Sequence, residues 1–254
     1  MSAAVAVHGL SIGWGEVTLI EDITFDVAPG EIFGILGGSG SGKSTLLRYL
    51  AGLERPIKGD IDVAGVGPPD LDRGPPNAGV MFQDGALFGS MTILENIELP
   101  LKEWTRLSAG AIEIIARSKL RLVGLEAAAD KLPAEVSGGM TKRAAIARAL
   151  ALDPRIVFFD EPQAGLDPVT AAGLDDLIVT LSRMTQLTVV MVTHELDSIY
   201  RTVDRCLLLD APSKGVIATG DPRELRRSGD QRVHEFFNPG TKAKERSWQP
   251  PPTT

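Results

Sequence analysis

Apolar and polar residues alternate at Ile23, Phe25 and Val27 against Thr24 and Asp26, which predicts a half-buried strand closed by the Pro29-Gly30 turn. The run Ile32-Phe33-Gly34-Ile35-Leu36 predicts a buried strand that stops at a burst of glycines. Past the glycines, Leu46, Leu47, Leu50 and Leu53 fall on one helical face, with Pro56 beyond them. The order is strand, Gly-rich loop, helix. Residues 65–77, rich in Gly and Pro, read as a surface loop, and Val80-Met81-Phe82 as a strand leading to Gln83. From Thr92 to about Val123 the period turns helical. Thr92 and Glu95 have the spacing of a capping box, and a second helix is built on Ile112, Ile114, Ile115, Leu120 and Val123.

Strand and helix then alternate again. Ile156 to Phe159 reads as a buried strand, and Asp167-Pro168 opens a helix with Leu174, Leu177, Ile178 and Leu181 on one face. Val189 to Val192 is a further buried strand, followed by a short helix and by Leu207 to Leu209. Such alternation predicts an α/β chain with a mainly parallel sheet, which binds ligands at the carboxyl ends of its strands. The helical stretch inside it, about residues 88–152, predicts an inserted subdomain. No internal repeat is present. From Pro239 to Thr254 the chain is polar and Pro-rich, ending Pro250-Pro251-Pro252 before two threonines, which reads as flexible or as ordered by a partner.

Composition narrows the class. The 254 residues are 43% hydrophobic and 23% charged, enough apolar material for a sizeable core. A formal net charge of −7 argues against a nucleic-acid partner. The single Cys206 forms no internal disulfide, fits a reducing compartment, and reads as a small buried apolar residue in Cys206-Leu207-Leu208-Leu209. No run approaches the roughly 18 apolar residues needed to span a bilayer. Met1 to Leu10 has no basic segment followed by an apolar stretch, so no signal peptide is predicted. Work at a membrane would need another subunit to supply the span.

Gly37-Gly38-Ser39-Gly40-Ser41-Gly42-Lys43-Ser44, followed by Thr45, fits the phosphate-loop pattern G-x-x-x-x-G-K-[ST]. Its glycines let backbone N–H groups converge on phosphates, and the next helix presents its positive N-terminus to them. Lys43 would reach the β- and γ-phosphates of ATP, and the Ser44 hydroxyl would bind Mg²⁺. The strand Ile156-Val157-Phe158-Phe159 delivers Asp160-Glu161 at its carboxyl end. There Asp160 suits a carboxylate holding Mg²⁺ through water, and Glu161 one that orients or deprotonates the attacking water. Taken alone, an Asp-Glu pair after a strand is more often a helix cap; beside the phosphate loop it reads as catalytic.

Val136-Ser137-Gly138-Gly139-Met140, ahead of a helix with Arg143, Ile146, Arg148 and Leu150, resembles the signature motif of ABC ATPases. The rest of that family's pattern follows in order across residues 10 to 210. Trp14 resembles the aromatic that stacks on adenine, a packed surface aromatic being the other reading. Gln83 resembles the Gln-loop residue that touches Mg²⁺ or water and senses the transmembrane partner. Ala164-Gly165-Leu166-Asp167 resembles the D-loop, and His194 the switch histidine at the γ-phosphate. The resemblance implies a P-loop NTPase (RecA-like) core with an N-terminal antiparallel β-subdomain and an inserted helical signature subdomain, together forming one nucleotide-binding domain over residues 4–238. It further implies a catalytic set of Lys43, Gln83, Glu161 and His194, with nucleotide contacts from the phosphate loop and from Ser137, Gly138, Gly139 and Asp167. Two departures stand out: Val136 replaces the usual Leu, and Met140 replaces the usual Gln, whose hydrogen bonds a Met side chain cannot make.

In that family two nucleotide domains meet head to tail, each site pairing one copy's phosphate loop with the other's signature. A chain with one of each is expected to be half of a homodimer. Ser-Gly-Gly-Met before Arg143-Ala144-Ala145, with Phe82-Gln83-Asp84-Gly85-Ala86-Leu87-Phe88, resembles the ATPases of Mla-type phospholipid transporters. These work with integral membrane permease subunits and an MCE-domain lipid-binding protein, at the cytoplasmic face of the inner membrane. Gln231-Arg232-Val233-His234-Glu235-Phe236-Phe237 resembles the start of their C-terminal extension, which reaches the neighbouring ATPase; simple disorder is the other reading for residues 239–254. The alternatives are an ABC motor for another cargo, such as amino acids or an organic solvent, and a non-transport member such as an iron–sulfur assembly ATPase.

Overall fold

Long extended runs open the chain because β-branched and aromatic residues alternate with polar ones. In the computed structural model, which describes residues 3–15, 17–67, 70 and 74–239, these are β1 (Val5–Trp14) and β2 (Val17–Val27). Residues 68, 69 and 71–73 of the Gly/Pro-rich loop and the tail from 240 onward lie outside the described residues. Next come β3 (Ile32–Gly37), buried throughout, α1 (Lys43–Leu50) and β4 (Lys58–Val63). β1 pairs antiparallel with both β2 and β4, giving a three-stranded sheet in the order β2-β1-β4.

β5 (Ala78–Met81) leads into a helical stretch of α2 (Ile93–Trp104), α3 (Ala109–Leu122) and α4 (Gly138–Ala149). α2 starts where the spacing of Thr92 and Glu95 predicts. The Glu95 amide donates to Thr92 Oγ1 at 3.1 Å, and the Thr92 amide donates to Glu95 Oε2 at 2.7 Å. Asn96, fully buried, secures the entry to this helix. Its Nδ2 donates to the carbonyls of Phe88, Met91 and Thr92, and its Oδ1 accepts from the Phe88 amide at 2.8 Å. A buried amide is tolerated because all of these groups find partners.

The chain returns to the sheet through β6 (Ile156–Asp160), α5 (Pro168–Thr185), β7 (Thr188–Val192), α6 (Leu196–Thr202), β8 (Arg205–Asp210) and β9 (Gly215–Gly220), closing with α7 (Pro222–Leu225) and α8 (Gln231–Phe237). The second sheet runs β5-β6-β7-β3-β8-β9, parallel except for the β8–β9 pair. One apolar cluster joins the two sheets around α1; another joins the opposite face of the large sheet to α2 through α6 and α8. At Gly79 the backbone of β5 meets α4 so closely that a Cβ would sit 2.1 Å from the Ala149 carbonyl oxygen, so only glycine allows this packing.

Three expectations change in detail. α1 ends at Leu50, and Leu53 lies past it, 47% exposed, because Gly52 turns the chain away. Ile114 is 73% exposed, since α3 packs through Ile112, Ala116 and Leu120, whose spacing leaves position 114 on the opposite face. β5 stops at Met81, so Phe82 already belongs to the following loop. Cys206 is buried as expected; burial pushes its thiol up to about 12.

Candidate nucleotide site

β3, β6 and β7 are neighbours in the parallel sheet, so the segments leaving their carboxyl ends converge at one edge. β3 ends at Gly37, with φ at +152°, where a Cβ would lie 2.5 Å from Ser41 Oγ and 2.7 Å from the Leu209 carbonyl oxygen. A side chain at this position would close the loop. Gly42, left-handed at φ 94°, is the N-cap of α1 and offers no side chain to its first amides. Those donors and the positive end of the helix remain for an anion. Lys43 folds back over the loop, its Nζ donating to the carbonyls of Gly37 at 3.0 Å and Gly38 at 2.9 Å. Burial lowers the Lys43 pKa, opposed by the charges of Glu161 and Asp160.

The Ser44 hydroxyl donates to Asp160 Oδ1 at 2.8 Å. Burial raises the Asp160 pKa, the Ser44 hydrogen bond works against it, and the Glu161 charge adds to it. A hydroxyl beside a carboxylate is a hard-oxygen pair, and Mg²⁺ accepts few protein ligands when water and phosphate oxygens complete its octahedron, so these residues fit that ion. Glu161 sits in the left-handed region at φ 44°, uncommon outside glycine, with its amide donating to the Val192 carbonyl at 2.9 Å. Its Oε1 lies 3.0 Å from His194 Nδ1, and His194 Nε2 lies 3.4 Å from Glu195 Oε1.

Residues 37–40 and 42–45 of the loop, with Glu161 and His194, line one open cavity of about 600 Å³. Phe236 of α8 completes its wall. Ser41 is buried beneath, and its Oγ has no hydrogen-bond partner among the described residues. The other expected residues do not line this cavity. Trp14 is 55% exposed at the end of β1. Gln83 is exposed on the loop after β5. Ser137 caps α4, accepting from the Met140 amide, with Gly138 and Gly139 forming the first turn. Asp167 caps α5; the Thr170 hydroxyl and the Thr170 and Val169 amides donate to its carboxylate, and the hydroxyl contributes most to lowering its pKa.

Three contributors escape sequence reasoning. Lys142, buried on α4, donates to the Gln83 carbonyl, and Arg148 donates to the carbonyls of Ala86 at 2.7 Å and Gly85 at 2.9 Å. The signature helix therefore grips the Gln83 loop by its backbone, which leaves no trace in residue type. Gln163, two residues past Glu161, is buried. Its Nε2 donates to Asp175 Oδ1 at 2.5 Å and to Ser198 Oγ at 2.7 Å, and Ser198 Oγ donates to Asp175 Oδ1 at 2.8 Å. This buried triad ties the segment after Glu161 to α5 and to α6, which starts just past His194.

Burial raises the Asp175 pKa, against the hydrogen bonds from Gln163 and Ser198. A raised folded-state pKa means stability greatest at acid pH and lost as pH climbs through the folded value. Asp175→Asn keeps an acceptor oxygen for both donors but does not titrate. In urea unfolding it should gain on the wild type as pH rises from about 4 to about 7. A gap that stays constant across that range would refute the burial argument.

Comparison with known proteins gives this arrangement a family. Residues 20–164 match the ABC transporter family. The chain is 42% identical to the Mycobacterium leprae protein named "Probable ribonucleotide transport ATP-binding protein mkl", over 94% of this chain and 70% of that protein. It is 36% identical to the Escherichia coli K12 intermembrane phospholipid transport system ATP-binding protein MlaF, over 92% of this chain and 88% of that protein. Among solved structures, the ATP-binding cassette MJ0796 in a dimeric post-hydrolysis state with ADP and Pi superposes with a TM-score of 0.74 at 30% identity, covering 85% of this chain and 98% of that one. Clostridium perfringens cbiO1 superposes with a TM-score of 0.79 at 26% identity, covering 96% and 98%. Among the described residues no helix is long and apolar enough to cross a membrane. With its phosphate loop, Glu161 and His194 lining one cavity and Asp160 bonded to Ser44, the chain belongs to the ABC transporter family, as the subunit that binds and hydrolyses ATP.

Proposed function

We propose that this chain powers a phospholipid transporter: two copies meet head to tail, close on ATP, and open after hydrolysis beneath integral membrane permease subunits at the cytoplasmic face of the inner membrane. The observation that carries the cargo is the similarity to MlaF across 92% of the chain. The dimeric form of the MJ0796 cassette supports the pairing of two copies. An MCE-domain lipid-binding protein completes the complex. The name of the mycobacterial relatives favours a second cargo, ribonucleotides, at slightly higher identity. The ATPase does not touch cargo, so the partners decide between the two.

Residues 4–238 form the nucleotide-binding domain and about 88–152 its inserted helical subdomain; the tail from 240 onward lies outside the described residues. Amides of residues 37–45 hold the phosphates, Lys43 neutralises them, and Trp14 stacks on adenine. Ser44, Asp160 and Gln83 would hold Mg²⁺, which when bound offsets phosphate charge and orients the γ-phosphoryl group. Glu161 takes the proton of the attacking water, and His194 holds Glu161 and reaches the γ-phosphate. Ser137, Gly138 and Gly139 of the second copy close the site, with roughly half a positive charge at that helix start, and Asp167 joins the two halves. Because the γ-phosphate contact disappears on hydrolysis, the closed state loses affinity when phosphate leaves.

Purification of the tagged chain from detergent-extracted membranes tests this reading. Recovery with a permease and an MCE-domain protein, and ATPase stimulation by phospholipid vesicles, are the expected results. Recovery without any integral membrane protein would sink the transporter assignment; stimulation by a ribonucleotide and not by lipid would move the cargo.

A further inference from the structure

The phosphate cavity is walled by backbone amides, hydroxyls and charged side chains, with one exception. Phe236 contributes an apolar ring to the lining of the cavity that Glu161 and His194 also line. It comes from α8, the short C-terminal helix that the roles above leave unused. Phe236, half-buried, also packs against the core, while two deeper side chains of the same helix fasten it. Val233 and Phe237, four residues apart on one face, are buried in the core. The Phe237 ring packs against Tyr200 of α6 at 6.3 Å, and the Tyr200 hydroxyl donates to the Phe237 carbonyl at 3.4 Å. Arg232 is bonded to Asp210 at 3.0 Å, at the end of β8, whose neighbouring Leu209 pairs with Gly37. The helix is thus fastened both to the strand beside the phosphate loop and to the helix that follows His194.

Phe236 lies off that buried stripe, partly exposed, with its ring edge-on to Phe237 at 5.1 Å. An aromatic in the wall of a phosphate cavity excludes water from part of it. Fewer water molecules lower the effective dielectric, so Lys43 and His194 act more strongly on the charge that develops during hydrolysis. Binding of the ground-state triphosphate rests mainly on the loop amides and Lys43.

We propose that Phe236 is a positioning residue for hydrolysis: α8 adds an apolar side chain to the wall of the cavity that Glu161 and His194 line, so turnover depends on how the C-terminal segment is docked. The proposal rests on the assignment of this cavity as the hydrolytic site. It assigns α8 a task within its own protomer, separate from any contact its continuation makes with a neighbour.

The test uses the full chain in its assembled complex, with ATP turnover measured by phosphate release and affinity measured with a fluorescent ATP analogue. Phe236→Ala should lower kcat about tenfold while leaving KM and nucleotide Kd within about twofold. Phe236→Leu, which keeps an apolar wall, should restore most of the rate, and Arg232→Ala, which loosens α8 away from the cavity, should lower kcat in the same direction. An unchanged kcat in Phe236→Ala, a loss of affinity parallel to the loss of rate, or a Leu variant as slow as Ala would each overturn the proposal. If Phe236→Ala does not fold, a wild-type kcat in Arg232→Ala refutes it and a lowered kcat at unchanged Kd supports it. Glu161→Gln run alongside separates the two claims. Should that variant keep normal turnover, the site assignment fails and the Phe236 role with it; should it be inactive while Phe236→Ala is normal, only the Phe236 role fails.

Discussion

Glu161→Gln is expected to bind ATP as the wild type does and to turn it over roughly 100- to 10,000-fold more slowly, the range that general-base catalysis contributes. The amide has the shape of the carboxylate and can still bond to His194 Nδ1, 3.0 Å from the present Oε1. It cannot accept a proton from water. The backbone at Glu161 is held at φ 44° by its bond to Val192, so the replacement inherits the same aim. Steady-state phosphate release from the assembled complex, with a nucleotide titration in parallel, measures both halves of the expectation. Near-normal turnover would remove Glu161 from the reaction.

Lys43→Ala is expected to act on binding itself. Truncating one partner of a desolvated, hydrogen-bonded charge pair costs about 2–5 kcal/mol, which corresponds to roughly 30- to 4,000-fold in affinity. The Lys43 ammonium already sits over the Gly37 and Gly38 carbonyls, at 3.0 and 2.9 Å, so little ordering remains for the ligand to impose. Removing it frees two carbonyls beside an open cavity, where water replaces the lost bonds, so the fold should survive. Equilibrium titration with a fluorescent ATP analogue, together with thermal unfolding, checks both points. An affinity within a few-fold of the wild type, in a folded variant, would mean that phosphate charge is neutralised elsewhere.

These two residues were legible because their chemistry is local. A phosphate loop needs its glycines and its lysine within eight consecutive residues, and the Thr92–Glu95 cap spans three steps of the chain. Asp160 and Glu161 could be read because an apolar strand points to the residue where it ends. Leu53 and Ile114 misled for the same reason: an apolar residue near a helical stripe looks like part of it, and only the packing partners reveal which face is covered. The Gln163 triad left no such trace, since Asp175 and Ser198 lie 12 and 35 residues further along. Nor did Lys142 and Arg148, which bond to backbone carbonyls and so select no particular residue opposite them.

From its order of strands, glycine loop, carboxylate pair and signature, the sequence by itself determined the α/β class, the phosphate chemistry and the membership of the ABC family. Those features are written in periods and spacings a few residues long, where side-chain direction follows from backbone geometry alone. The tertiary structure decided which distant segments share the cavity. Placing β3 beside β7, with β6 next in the sheet, brings Lys43, Glu161 and His194 to one cavity, and the docking of α8 adds Phe236 to its lining. Sheet order and helix docking arise from burial of apolar faces across the whole chain, a sum over many contacts that no local pattern encodes.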